Sequence, residues 1–180
     1  LFLAILPFWT NYLIRTYAWI VLLNPAGLIN TAFQGLGLPA LPLLYNEFAV
    51  VLGLTYNYTP FVILAIFAAL QRLDPSYAEA SRDLGATAAM TFWRITLPLT
   101  APGVAAGAVF VFVLSIGNFI TPDLLGGGKL QMAGNLIYDQ FLTARDWPFG
   151  ATLSAILIGI MLVLLFVQAL VSRRALGERA

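Results

Sequence analysis

The sequence contains no cysteine and no histidine, and only 9% of its 180 residues are charged. The missing cysteine excludes disulfides and thiolate chemistry, and the missing histidine removes the commonest metal ligand and general base. Soluble proteins carry charge on roughly 25% of their residues, so this chain has too few charges to cover a water-exposed surface. Its net charge of +1 also argues against nucleic acid, which selects strongly basic domains.

Long apolar runs occupy much of the chain. Residues 48–70, 101–121 and 149–171 contain no charged side chain, and about 20 apolar residues suffice for a helix to cross a bilayer. Each run therefore predicts a membrane-spanning helix. We expect residues 1–9 to be the end of a fourth span and, because the chain begins inside an apolar run, we expect it to extend further upstream. The predicted fold is an all-α, polytopic membrane protein.

The distribution of lysine and arginine predicts an orientation. Six of these residues lie in the 71–100 loop and the C-terminal tail, and three lie in the segments on the opposite side of the predicted spans. This excess predicts that the 71–100 loop and the C-terminus lie in the cytoplasm.

The loop between the first two complete spans has helix signals of its own. Asp74 and Pro75 predict a helix start, and Gly85 stands where a helix would end in a left-handed residue. A second short helix is expected from about residue 87 to residue 95, and Pro98 marks the entry into the next span. Composition alone favours a solvated loop, although an amphipathic helix pair can also dock into a groove on another protein.

The segment EASRDLGATAAMTFWRITLP, residues 79–98, closely resembles the EAA motif of permease subunits in ATP-binding-cassette importers. The positions that carry the motif are Glu79, Ala80, Ser81, Gly85, Ile95, Leu97 and Pro98, with serine at the third position in place of the usual alanine. The resemblance implies that residues 74–98, here named the coupling loop, insert into a cytoplasmic ATPase subunit.

The resemblance extends over essentially the whole chain. PFWTNYLIRTYAW at residues 7–19, LLGGG at 124–128 and FLTARDWPFG at 141–150 look like spermidine/putrescine permeases of the first type. This implies one transmembrane domain over residues 1–180 with the type I importer helix bundle, about four of whose six spans are present, the first partial. It also implies a place in the inner membrane of a bacterial cell, and two ATPase subunits, a second permease and an external binding protein as partners. Permeases for other organic cations, phosphonates or iron are the alternatives.

The sequence has no ATP site or catalytic cluster of its own, so no cofactor is expected. The glycine run ending at Lys129 fails the phosphate-loop pattern because Asp123 and Leu130 occupy its flanking positions. Energy must come from a partner or an ion gradient. A secondary transporter or channel is the rival interpretation, but the three complete spans lack the intramembrane acid that a proton-coupled carrier would use. A membrane-embedded enzyme is a more remote third class.

Polar residues within the predicted spans are candidates for a translocation path. A polyamine needs oxygen ligands and aromatic faces, which Tyr56, Asn57, Tyr58 and Asn118 offer; helix–helix packing is the equal alternative. Some related permeases have an acid near position 118. On the expected periplasmic side lie Asp123, Arg145, Asp146 and Trp147. The last three either brace a docking surface or anchor the chain at the membrane interface.

Overall fold

A computed structural model describes residues 6–177 of the chain, with side chains described for residues 8–170. The described residues form helices and connecting loops, and none of them lies in a β-strand. After a 3₁₀ turn at Leu6–Trp9, the helices are α1 Tyr12–Leu23, α2 Leu28–Gly35, α3 Glu47–Gln71, α4 Ser76–Asp83, α5 Ala88–Thr91, a π-helical segment Phe92–Thr96, α6 Leu97–Ile116, α7 Ile120–Gly126, α8 Ala133–Leu142 and α9 Trp147–Gly177.

Four helical stretches among the described residues are long and apolar enough to cross a membrane. They are Tyr12–Gly35, Glu47–Gln71, Ala88–Ile116 and Trp147–Leu170. The prediction of an all-α, polytopic membrane protein is therefore confirmed. Two of the stretches follow charge-free runs of the sequence closely, because an unbroken apolar run defines its helix directly.

The first membrane-length stretch differs from the partial span expected at residues 1–9. Residues 1–5 of that expected span lie outside the described residues, and its remainder is the short 3₁₀ turn. The membrane-length stretch instead begins at Tyr12 and includes Arg15. The stretch is apolar enough in spite of this single charge, and it comprises the two helices α1 and α2.

The span expected over residues 101–121 is also displaced. Its helix α6 begins at Leu97 and ends at Ile116, and the chain turns before α7 begins at Ile120. The physical reason is a side-chain cap, because the Asn118 Oδ1 atom accepts a hydrogen bond from the Thr121 N–H at 3.0 Å. This bond satisfies a backbone N–H at the start of α7 that has no partner within that helix. Helix α6 therefore ends at Ile116 and a new helix begins, although the sequence stays apolar.

The chain separates into two compact units. The first comprises Pro60–Val113 and the described residues from Ile160 onward, and small residues bring α3 and α6 together in it. A Cβ added at Gly103 would lie 2.6 Å from the Ala69 Cβ, and one added at Gly107 would lie 2.4 Å from the Ala65 Cβ. The helix backbones approach closely because these positions have no side chain, as is common between membrane helices.

The second unit comprises the described residues up to Thr59 together with Leu114–Gly159. Its core consists of five buried side chains: Leu23, Leu44, Ala49, Val50 and Leu125. A Cβ added at Gly53 would lie 2.3 Å from the Leu125 Cδ1 atom, so the short helix α7 packs directly on the backbone of α3. This packing positions the residues around Asn118 beside α3.

Candidate functional site

Four side chains of the second unit form a hydrogen-bonded cluster, here named the polar network: Tyr12, Tyr58, Asn118 and Thr121. The Asn118 amide nitrogen donates to the Tyr12 hydroxyl at 2.6 Å and to the Tyr58 hydroxyl at 2.8 Å. The hydroxyls of Tyr12 and Thr121 are also hydrogen-bonded to each other. Asn118 therefore joins α1 to α3 at the turn between α6 and α7.

The polar network is anchored to backbone as well as to side chains. The Tyr58 hydroxyl donates to the Leu114 carbonyl at 3.0 Å, near the end of α6. The Asn118 amide oxygen already accepts from the Thr121 N–H. Each amide atom of Asn118 thus has a partner within the protein, as buried polar groups require. In this conformation the network holds helices together, and a ligand would have to replace one of its bonds.

The other two path candidates face different surroundings from Tyr58, since successive residues of a helix point in different directions. Tyr56 is 37% exposed, and its ring makes an edge contact with Trp19 at a centroid distance of 5.4 Å. Asn57 is 2% exposed, and neither amide atom has a hydrogen-bond partner among the described residues. The structure thus separates the predicted cluster into an exposed ring at Tyr56, a buried amide at Asn57 and a hydrogen-bonded hydroxyl at Tyr58.

The first helix of the coupling loop begins and ends through specific caps. The Asp74 carboxylate accepts a hydrogen bond from the Ser76 N–H at 2.9 Å, and this interaction with Ser76 lowers the pKa of the exposed carboxyl group below its usual value. Gly85 has a φ of 80°. The N–H of Gly85 bonds to Arg82 and that of Ala86 to Ser81, which is the Schellman pattern that favours glycine.

Ser81 links the two helical parts of the coupling loop. Its side chain is 7% exposed, and its Oγ atom lies 2.9 Å from the Thr91 Oγ1 atom. The Thr91 hydroxyl also donates to the Thr87 carbonyl at 3.2 Å. The replacement of the usual alanine by serine therefore adds a buried bond between α4 and α5 while keeping a small side chain.

The second short helix expected from residue 87 to 95 is not a separate element. Helix α5 leads into the π-helical segment, which continues directly into α6. The Leu97 N–H bonds to the Phe92 carbonyl, five residues earlier. Because Pro98 has no N–H and its ring crowds the preceding turn, a widened turn at this point lets the helix continue through the proline. Single π-helical turns are rare and are frequent at functional sites.

The coupling loop presents large apolar side chains to its surroundings. Leu84 is 88% exposed and Trp93 is 66% exposed, and Glu79 and Ala80 are also on the surface. A groove of about 420 Å³ runs beside α4. Its lining includes Tyr77, Ala80, Leu84, Met90, Arg94 and Ile95. The segment therefore offers an apolar ridge and groove bordered by charged groups.

The candidates for the periplasmic side shape the turn before α9. Arg145 has a left-handed backbone with a φ of 55°. The Asp146 carboxylate accepts from the Phe149 N–H at 3.1 Å and so caps the start of α9. Trp147 is 65% exposed and contacts Phe141 edge-on. Asp123 is an exposed residue of α7.

Sequence reasoning missed Tyr12, Thr121 and Thr91, all of which bond to predicted site residues. The contact of Tyr12 with Asn118 spans 106 positions of sequence. No local pattern reports such a distant contact. Thr121 offered a weak signal, since it stands three residues after Asn118 where a cap would act. Among the described residues, no group of side chains has the composition of a metal site.

The membrane-length helical stretches of the described residues define a polytopic α-helical membrane protein. The family model for the binding-protein-dependent transport system inner membrane component matches residues 1–177. The chain therefore belongs to this family of transport permeases.

Individual relatives agree with this family. The chain is 45% identical over 169 residues to the spermidine/putrescine transport system permease protein PotB of Haemophilus influenzae, covering 93% of this chain and 59% of the relative. It is 42% identical over 175 residues to PotB of Escherichia coli K12, covering 96% and 64%. The inner membrane permease protein YdcU of Escherichia coli K12 is 38% identical over 181 residues, covering 93% and 58%. The chain thus spans about 60% of the length of these relatives.

The fold has a counterpart among solved structures. A chain of a bacterial alginate transporter, solved in complex with an alginate-bound periplasmic protein, matches with a TM-score of 0.80 and 21% identity. The match covers 96% of this chain and 64% of that chain. At this identity the likeness concerns the fold alone.

Proposed function

We propose that this chain is part of the permease subunit of an ATP-driven importer that carries polyamines such as spermidine and putrescine. In this proposal a second permease, two ATPase subunits and an external binding protein complete the importer, and ATP is hydrolysed by the partner and not by this chain. The coupling loop and the C-terminus face the cytoplasm, as the lysine and arginine distribution favours.

The surface of the coupling loop is the observation that carries this proposal. A solvated loop between spans would hide its large apolar residues, whereas here Leu84 and Trp93 are among the more exposed side chains. Large exposed apolar patches mark sites of protein–protein contact. The Schellman cap at Gly85 and the Ser81–Thr91 bond hold these side chains on a preformed surface, which reduces the entropic cost of docking.

Co-purification tests the docking role. The full-length gene is expressed with its neighbouring genes, and the ATPase captured through this subunit is measured. Glu79→Lys and Gly85→Asp are expected to lose most of the ATPase while the spans remain folded. Glu79→Gln and Gly85→Asn are the matched controls, because glutamine carries no reversed charge and asparagine tolerates the left-handed backbone. Normal capture by both charged variants, or none by the wild type, contradicts the proposal.

The second unit supplies groups suited to an organic cation. The rings of Tyr56 and Trp19 form an edge-on pair, and an aromatic face attracts ammonium groups. The polar network lies on the same helix α3 and offers hydroxyl oxygens, but its bonds are already made. We infer that the aromatic pair contacts the substrate directly and that Tyr58 and Asn118 respond by exchanging hydrogen bonds during transport.

Uptake kinetics with labelled spermidine and putrescine test the path. Tyr56→Leu is expected to raise the KM for both polyamines at least several-fold by removing the aromatic face. Tyr58→Ala and Asn118→Ala are expected to lower the maximal rate. Thr59→Val serves as a control because, within the described part of the chain, the Thr59 hydroxyl bonds to its own helix, at the Thr55 carbonyl. Unchanged affinity and rate in the variants at positions 56, 58 and 118 exclude this path.

A further inference from the structure

Arg15 in α1 has a guanidinium group that is partly buried within the described part of the chain. Its Nε and Nη1 atoms are both inaccessible to solvent, and neither has a partner among the described residues. The Phe8 ring covers the guanidinium, with 4.2 Å between the Cζ atom and the ring centroid. A ring stabilises the positive charge through its face, but it accepts no hydrogen bond from the in-plane N–H groups of the guanidinium.

An arrangement of this kind is costly for a lone arginine. Arginine stays protonated in proteins, so it cannot avoid the cost of burial by becoming neutral. A buried donor without an acceptor loses its hydration, and the loss is larger for a charged group. No carboxylate among residues 8–170 forms an ion pair with Arg15. Within residues 8–170 the buried Nε and Nη1 atoms of Arg15 therefore have no acceptor.

Helix geometry locates the missing acceptor. Tyr12 and Trp19 lie three residues before and four residues after Arg15, so all three share one face of α1. Tyr12 belongs to the polar network and Trp19 packs on Tyr56. The acceptor must therefore approach the face of α1 that carries the proposed path.

The chemistry of the group favours a carboxylate. A polyamine substrate is excluded as the partner because its charge has the same sign. An arginine that reaches for lipid phosphate extends its head group to the interface, whereas two of the three guanidinium nitrogens here are buried. Guanidinium and carboxylate form strong charge-assisted hydrogen bonds where water is excluded.

We propose that Arg15 binds the carboxylate of an aspartate or glutamate on another membrane helix of the assembled importer. That helix belongs either to a longer form of this protein or to the second permease. The proposal rests on the importer function above only in requiring an assembled membrane complex. The ion pair fixes α1, and with it Tyr12 and Trp19, against the helix that carries the acid.

A charge-exchange scan in the assembled importer tests this pairing. Arg15→Met and Arg15→Glu are expected to lower the yield of intact complex at least several-fold, Arg15→Lys less so. The control is Lys129→Glu, which reverses an exposed loop charge and is expected to leave the yield unchanged. Arg15→Glu is then combined, one at a time, with Asp→Lys or Glu→Lys changes in the other membrane helices. One combination is expected to restore the yield, and its location distinguishes the two sources of the acid.

Three results overturn the proposal. The first is that Arg15→Met assembles like the wild type, and the second is that no charge exchange restores the complex. The third is that the thermal midpoint of the wild-type complex rises with anionic lipid content and that Arg15→Met abolishes this dependence. That result would identify a lipid phosphate as the anion. Complex yield is measured on the membrane subunits alone, so the outcome is separable from ATPase capture and from polyamine uptake.

Discussion

Replacing Gly107 by alanine should separate two helices that flank the coupling loop. The new Cβ would lie 2.4 Å from the Ala65 Cβ, whereas carbon atoms in contact are about 3.5–4.0 Å apart. The helices must therefore move apart by roughly 1 Å, and overpacking of this kind costs about 1–3 kcal/mol. We expect Gly107→Ala to lower the unfolding free energy by an amount in that range.

Moving the methyl group provides the matched test. In Ala65→Gly/Gly107→Ala the methyl group lies on α6 instead of α3, so the contact distance is relieved and most of the lost stability should return. Gly159→Ala is the control, because a Cβ at Gly159 meets no atom within 4 Å. The free energy of unfolding is measured for the purified complex in detergent by titration with a denaturing detergent, with helicity as the readout.

The result that refutes the packing argument is specific. If Gly107→Ala unfolds like the wild type, α3 and α6 do not pack as closely as their glycines and alanines indicate. If Ala65→Gly fails to rescue it, the loss has another cause. A confirmed cycle means that α3 and α6 move as one body. When the coupling loop that joins these helices is displaced, both spans then move with it, because their contact is too tight to take up the movement.

Two further predictions concern the coupling loop. Ser81→Ala removes the bond to Thr91, so it should lower the free energy of unfolding by about 0.5–1.5 kcal/mol while ATPase capture continues. Ser81→Leu places too large a side chain at the same buried position, so it should abolish capture in the co-purification assay. Deleting Trp93 removes the extra residue of the π-helical turn, which should preserve helicity by circular dichroism yet uncouple ATP hydrolysis from uptake. If the deletion variant still couples ATP hydrolysis to uptake, the widened turn accommodates Pro98 and has no role in coupling.

Local features of the sequence predicted local features of the fold. The charge-free run at residues 48–70 lies inside α3, because a long apolar segment has few alternatives to a membrane helix. Gly85 was predicted to end a helix in a left-handed conformation, and its φ of 80° confirms this. Asp74 was predicted to start the same helix, and it accepts from Ser76. In each case the deciding interaction lies within a few residues.

Contacts between distant residues could not be predicted in the same way. The end of α6 at Ile116 depends on the capping role of Asn118, which hydropathy cannot reveal because the apolar run continues past it. The bond from Asn118 to Tyr12 joins residues more than 100 positions apart. The π-helical turn was likewise missed, since Pro98 signals a helix boundary as readily as a widened turn.

The polar network favours a switching role over a fixed binding site. Its amide and hydroxyl groups are satisfied by one another, so a cation that bound there would first have to break bonds of similar strength. Interhelical bonds of this type average only about 0.6 kcal/mol in a membrane protein, so exchanging them is inexpensive. In the path proposed above, a cation held by the rings of Tyr56 and Trp19 therefore shifts the partners of Tyr58 and Asn118 at little cost in free energy. Because Asn118 joins α1 to α3 at the end of α6, each exchange alters how these helices are held together.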